Sequence, residues 1–203
     1  MANPHDAAAE DLEAIRAVLS GDEAAFRRLV DKYAGSIFNL AYRMTGNAAD
    51  AEDLAQDAFL QAFARLRDFR LGSRFHPWIY TIALNLCRSH LRRRAVARWL
   101  PLSRERAEDG PAEPEIAERS PDPEQALLAR EAEARLQEAV AALPAKYREV
   151  FVLRQSQDLS YEDIAGLLGL PLGTVEVRLF RARRLLLESL QASHLRPARG
   201  RAK

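Results

Sequence analysis

The chain has 203 residues with 30 Lys+Arg and 29 Asp+Glu, so its net charge of +1 predicts no partner by itself. A single cysteine, Cys87, excludes an intramolecular disulfide framework and a multi-cysteine zinc site, and His5, His76, His90 and His194 lack metal-ligand spacing. No apolar run approaches the roughly 20 residues of a membrane span, and the acidic start (Asp6, Glu10, Asp11, Glu13) is no signal peptide.

The expected setting is therefore reducing and cytoplasmic, with no metal, no cofactor and no membrane insertion. Charge is unevenly spread. Residues 1–70 carry 8 basic and 12 acidic side chains, 71–106 carry 8 and 1, 107–175 carry 6 and 14, and 176–203 carry 8 and 2. Two basic blocks alternating with acidic ones point to polyanion contacts at two separate places. With 48% hydrophobic residues, 9 glycines and few β-branched runs, the expected fold is all-α.

In chain order, a short helix is expected from Asp11 to Ser20, broken by Gly21-Asp22. The next places Phe26, Leu29, Val30, Tyr33, Ile37 and Leu40 on one apolar stripe. Thr45-Gly46-Asn47 ends it, and a third helix carries Leu54, Ala58, Phe59, Ala62, Phe63 and Leu66 on one side. After the loop Phe69–Phe75, Pro77 suits a first helical position, and its helix runs to about Arg94 or Trp99. Residues 101–124 hold five prolines, one glycine, 8 acidic and 3 basic side chains, the composition of a flexible linker. Helices resume over Glu124–Ala142 and from Ala145 to about Gln155. Ser160-Tyr161-Glu162-Asp163 has a capping-box pattern ahead of Ile164, Leu167 and Leu168. Gly169-Leu170-Pro171-Leu172-Gly173 forms a turn, and Thr174 is the expected N-cap of a last helix reaching Leu190. The expected organisation is two small helical domains, 1–100 and 125–190, joined by the linker and followed by a disordered basic tail, 191–203.

Three constellations stand out. Residues 158–184 have the layout of a helix-turn-helix: Val175, Leu179, Ala182 and Leu186 face inward, leaving Glu176, Val177, Phe180, Arg181 and Arg184 outside. That outer face suits a major groove, or simply solvated arginines. On the helix after Pro77, Trp78, Thr81, Asn85, Arg88 and Arg92 share a face, with Ile79, Ile82, Ala83 and Leu86 opposite. An aromatic, an amide and two guanidiniums suit a single-strand platform, while a core Trp with a solubilising basic end has the same pattern. Asp50–Asp57 crowds carboxylates at a helix start, which complements the macrodipole and, beside Leu54, Gln56 and Phe59, also suits docking of a basic, partly apolar helix. No histidine has an evident serine, cysteine or carboxylate companion in the sequence and no glycine-rich loop could cradle phosphate, so an enzyme is not expected.

The order of motifs resembles a known family. Gly21-Asp22-Glu23-Ala24-Ala25-Phe26, Asp50–Phe59 and Phe75-His76-Pro77-Trp78-Ile79-Tyr80-Thr81-Ile82-Ala83-Leu84-Asn85 resemble the second region of extracytoplasmic-function (ECF) sigma factors. Leu143–Phe151, Leu159–Ala165, and Gly173-Thr174-Val175 running on to Arg181-Ala182-Arg183 resemble the fourth. The resemblance spans about residues 11–190. It implies a bacterial initiation factor that binds core RNA polymerase and promoter DNA, with an anti-sigma factor as a further partner.

Carried over by position, Asp53, Leu54, Gln56, Asp57, Phe59, Leu60, Phe63 and Leu66 would dock on the polymerase clamp helices. Phe69, Arg70, Arg74, Phe75, Trp78, Asn85, Arg88 and Arg92 would capture an unstacked base of the minus-ten element and support the melted strand. Ser160, Tyr161, Thr174, Glu176, Val177, Arg178, Phe180, Arg181 and Arg184 would meet the minus-thirty-five duplex. The acidic linker would cross the polymerase interior. Glu176-Val177 departs from the basic or small polar pair that family members often have. Glu176 would repel phosphate but accept from a cytosine amino group, and Val177 or Phe180 would meet thymine methyls. Cys87, inside a helix, is a weak candidate for redox sensing.

Overall fold

The computed structural model describes residues 4–99, 123–155 and 159–194. They fall into two compact units, one holding the helices up to residue 99 and the other those from residue 123. Among the described residues there are helices and turns and no strand. The linker assigned to 101–124 lies, up to residue 122, outside the described residues, as does the tail beyond residue 194.

In the first unit α1 spans Pro4–Leu19, starting well before Asp11. His5-Asp6-Ala7-Ala8-Ala9-Glu10 consists largely of alanines and acids, which suit an early turn, and Pro4 sits where the first N–H groups are unpaired in any case. The helix is tied to α2 (Phe26–Thr45) by a buried carboxylate. Tyr33 Oη donates to Asp11 Oδ2 at 2.5 Å and Lys32 Nζ donates to Oδ1 at 2.6 Å, so the desolvated acid has partners on both oxygens. Gly46, at φ +75°, closes α2 in the left-handed conformation that a side chain resists. Asn47 then caps α3 (Ala48–Ala64), its side chain accepting from the Asp50 N–H at 2.9 Å.

The buried face of α3 is mostly alanine: Ala48, Ala51, Ala55, Ala58 and Ala62. Side chains this small let the α2 and α4 backbones approach closely on either side. A 3-10 turn at Leu66–Asp68 and a loop lead to α4 (Phe75–Trp99). Pro77 is the third residue of α4 rather than the first. The whole first turn lacks intrahelical acceptors for its N–H groups, so proline costs nothing there either. Phe75, Ile79, Tyr80, Ile82, Ala83, Leu84 and Cys87 bury one side of α4 in the core.

Burial pushes the Cys87 thiol up to about 12, against a smaller lowering by a backbone hydrogen bond. The thiolate is the reactive form, so native protein is expected to resist iodoacetamide at pH 8 and to react once unfolded. From its ordinary 9.0 up to about 12, the unfolded thiol sheds its proton before the folded one. This group therefore subtracts stability as pH rises through that window. Rapid alkylation of folded protein would contradict the burial.

In the second unit α5 (Pro123–Ala142) buries only its C-terminal part against its neighbours, through Gln137, Ala139 and Val140. Arg148 of α6 (Ala145–Gln155) donates to the Ala141 and Leu143 carbonyls, satisfying acceptors that the end of α5 would leave open. Val150, Phe151, Val152 and Leu153 make four successive buried positions on α6. The expected capping box is present at α7 (Tyr161–Leu168). Ser160 Oγ accepts from Asp163 N–H, and Asp163 Oδ2 accepts from Ser160 N–H, both at 3.0 Å. Gly169 at φ +63° turns the chain.

The last helix, α8, spans Leu172–His194 and corrects two expectations. Thr174 is not the N-cap. The Pro171 carbonyl accepts from Thr174 N–H at 2.9 Å and Val175 N–H at 3.2 Å, so the helix begins after proline, whose fixed φ ends the turn earlier. The helix also continues past Leu190 to His194, so the first residues assigned to the tail are helical.

Candidate nucleic-acid interface

Three surfaces gather the residues singled out in the sequence. On α3, Asp53, Gln56, Asp57, Leu60 and Phe63 recur at three- and four-residue steps and are all exposed. Leu60 is 59% and Phe63 38% exposed, an apolar end to an acidic stripe. Phe63 leans edge-on against Phe26, ring centres 5.1 Å apart. Leu54, Phe59 and Leu66 are buried and face the core instead. They hold the stripe in place from behind.

The second surface is built on an aromatic cluster. Phe69 meets Trp78 at 5.2 Å and Phe75 at 6.1 Å, Phe75 meets Trp78 at 5.6 Å, and Tyr33 closes the group on Phe75 at 5.5 Å. Phe69 and Phe75 are buried, whereas Trp78 is half-buried. Between them the loop Arg70–Arg74 is exposed, folded back by the Ser73 N–H to Arg70 carbonyl bond at 3.0 Å and by Gly72 at φ +96°. Along α4, Asn85 and Arg92 are exposed and Arg88 is half-buried, its Nη1 donating to Asn85 Oδ1 at 3.4 Å. The basic end of α4 is tied back to α3. Arg94 Nη1 lies 2.6 Å and His90 Nε2 3.3 Å from Asp50 Oδ2, beside the Asn47 cap.

The third surface is the outer face of α8. Val175, Leu179, Ala182 and Leu186 are buried as their spacing implies. Glu176, Val177, Phe180, Arg181 and Arg184 are exposed, Phe180 at 68% and Val177 at 50%. Thr174 and Arg178 are half-buried. On α7 the capping Ser160 is exposed and Tyr161 is half-buried, its ring beneath the Arg154 guanidinium at 5.2 Å. Two residues outside the predicted set join this face. Tyr147 of α6 accepts a hydrogen bond from Arg181 at 3.4 Å, and Lys146 lies 5.0 Å from the Tyr147 ring centre. The Arg181 bond chiefly lowers the Tyr147 hydroxyl from its ordinary 10.0; desolvation opposes it, and the Lys146 charge adds to it.

Among the described residues, no group of three or more His, Cys, Asp or Glu is placed to hold a metal ion, and no helix is long and apolar enough to cross a membrane.

Comparison with known proteins places the chain in a family. The Sigma-70 region 2 model matches residues 29–96, and the Sigma-70 region 4 model matches residues 133–186. The RNA polymerase sigma-H factor of Pseudomonas aeruginosa is 39% identical over 184 residues, covering 90% of this chain and 94% of that protein. The ECF RNA polymerase sigma factor SigW of Bacillus subtilis is 35% identical over 177 residues, covering 87% of this chain and 95% of SigW. The chain belongs to the ECF RNA polymerase sigma factors.

Solved structures share the fold. CnrH, solved in complex with the cytosolic domain of CnrY, is 26% identical with a TM-score of 0.65, covering 90% of this chain and 98% of CnrH. The sigma factor RpoE of Bartonella quintana, solved with the anti-sigma factor NepR, is 25% identical with a TM-score of 0.61, covering 82% and 96%. Membership places this sigma factor among transcription initiation factors. The first two surfaces lie within the region 2 match or at its edge, and the third lies in the region 4 match.

Proposed function

We propose that this sigma factor docks on core RNA polymerase through the α3 stripe, captures the melted minus-ten strand on α4, and reads minus-thirty-five duplex with α8. The observation that carries the reading is the split face of α8. Its aliphatic side is consumed by the core, while Val177 and Phe180, two apolar side chains that gain nothing in water, stand exposed among Arg181 and Arg184. Apolar groups beside cations suit a groove floor that offers thymine methyls between phosphate walls.

On α4 and the loop before it, contact falls to Arg70, Arg74, Trp78, Asn85, Arg88 and Arg92. The buried Phe69 and Phe75 have the task of holding Trp78 and the loop in shape. A rigid ring beside exposed cations offers stacking for a base and neutralisation for its phosphates. CnrH is solved with the cytosolic domain of CnrY, and the Bartonella RpoE with the anti-sigma factor NepR. The exposed Leu60 and Phe63 give a similar partner apolar surface here, so an anti-sigma factor is part of the proposal.

The test is transcription with purified core polymerase and a pool of promoter fragments. Transcripts sharing two upstream motifs, present only when this protein is added, are the expected result. Failure to bind core polymerase in a pull-down would overturn the reading.

A further inference from the structure

Tyr147 lies on α6, outside the helix-turn-helix, yet its hydroxyl reaches the outer face of α8. Arg181 Nη1 donates to Tyr147 Oη at 3.4 Å, joining residues 34 positions apart, and Lys146 Nζ stands 5.0 Å from the Tyr147 ring centre. Lys146 and Arg181 are exposed and Tyr147 is half-buried. The core does not require them: α6 packs inward through Val150, Phe151, Val152 and Leu153.

A phenol that accepts from a guanidinium keeps its own proton for another partner. With two cations beside it, that partner is best an anion. We propose that Lys146, Tyr147 and Arg181 form one composite site for a backbone phosphate of duplex DNA, the Tyr147 hydroxyl accepting from Arg181 and donating to the phosphate.

This rests on the reading that the outer face of α8 meets duplex. Within it, the hydroxyl does two things. It holds a long, exposed arginine near one rotamer before DNA arrives, which reduces the ordering cost of binding. The cation in turn polarises the O–H bond, and a donor to an ionised acceptor makes a stronger bond than a neutral pair. The lowered proton affinity of Tyr147 has the same origin. A phosphate contact carries no base information, but it fixes the register at which Val177 and Phe180 enter the groove.

The test uses the full-length chain and two duplexes, one enriched by that chain from a randomised pool and one of unrelated sequence. Affinities are measured across a salt titration for Tyr147→Phe, Arg181→Ala and the double variant. Arg181→Ala is expected to weaken binding about tenfold and to flatten the salt slope by about 0.9. Tyr147→Phe, which removes one hydroxyl, is expected to weaken both duplexes alike, about fivefold. In the Arg181→Ala background it should cost less than about twofold more, since the two groups act as one site.

Wild-type affinity for Tyr147→Phe alongside weakened Arg181→Ala would overturn the composite site and leave the α8 reading standing. Fully multiplicative losses would also overturn it, because independent contacts would explain them. Wild-type affinity for Arg181→Ala would remove the α8 reading, and this site with it.

Discussion

A Leu60→Asp/Phe63→Asp variant is expected to lose core polymerase binding by more than about 100-fold while keeping its helical content. The physical case starts from exposure. Leu60 is 59% and Phe63 38% exposed at the end of a stripe whose other members are carboxylates and an amide. A charge placed at an already solvated position costs the fold little. At an interface the same charge must be desolvated against an apolar partner, and central apolar anchors carry about 2 kcal/mol or more each. Two such losses exceed two decades in affinity at about 1.4 kcal/mol per decade. Phe63 also touches Phe26, so Leu60→Asp alone separates the effects: it should weaken binding by about 25-fold with no stability change. A pull-down or fluorescence titration against core polymerase is the measurement. Undiminished binding by the double variant would move the docking surface off α3.

Most of the helices were legible because they bury one face each. The stripe Phe26, Leu29, Tyr33, Ile37 and Leu40 is buried along α2, and Leu54, Ala58, Phe59 and Ala62 along α3. Periodicity fails at the edges of such a stripe. Phe63 shares the pattern of its neighbours yet is 38% exposed, its ring meeting Phe26 only edge-on. Helix ends were less legible, for a local reason. Alanine-rich and acidic residues before Asp11 continue a helix as readily as they end a coil, and Thr174 competes for the cap with a proline whose carbonyl is already in place.

For the candidate site, the sequence could rank residue types along a face but not assign depth. Phe69, Phe75 and Trp78 look equally suited to stacking on a base; their mutual packing buries the first two and leaves Trp78 half-buried. Contacts between distant residues left no signal at all. Nothing local links Asp11 to Tyr33, Asp50 to Arg94, or Tyr147 to Arg181, because such pairs arise only when helices cross. The cation count on α8 was readable from composition; the tyrosine that orders one of those cations was not.

Truncating the aromatic cluster should have the largest effect on stability. Phe75 is 2% exposed and lies against Tyr33, Phe69 and Trp78, so Phe75→Ala removes a ring from a closed site at the first turn of α4. Phe→Ala in a core costs about 3–5 kcal/mol, partly lost transfer energy and partly the cavity left behind. For a unit of this size that lowers the midpoint of thermal unfolding by about 10–20 °C. Both tryptophans, Trp78 and Trp99, lie on α4, so intrinsic fluorescence follows this unit directly. Phe75→Leu retains most of the volume and should cost under about 1.5 kcal/mol. The pair also separates support from contact. If Phe75 acts by holding the loop and Trp78, single-strand affinity should fall with Phe75→Ala at temperatures where it remains folded and largely survive Phe75→Leu. Equal loss of strand binding in both variants, with Phe75→Leu as stable as predicted, would mean that the Phe75 ring touches the base itself. A midpoint unchanged by Phe75→Ala would show instead that the cluster does not anchor α4.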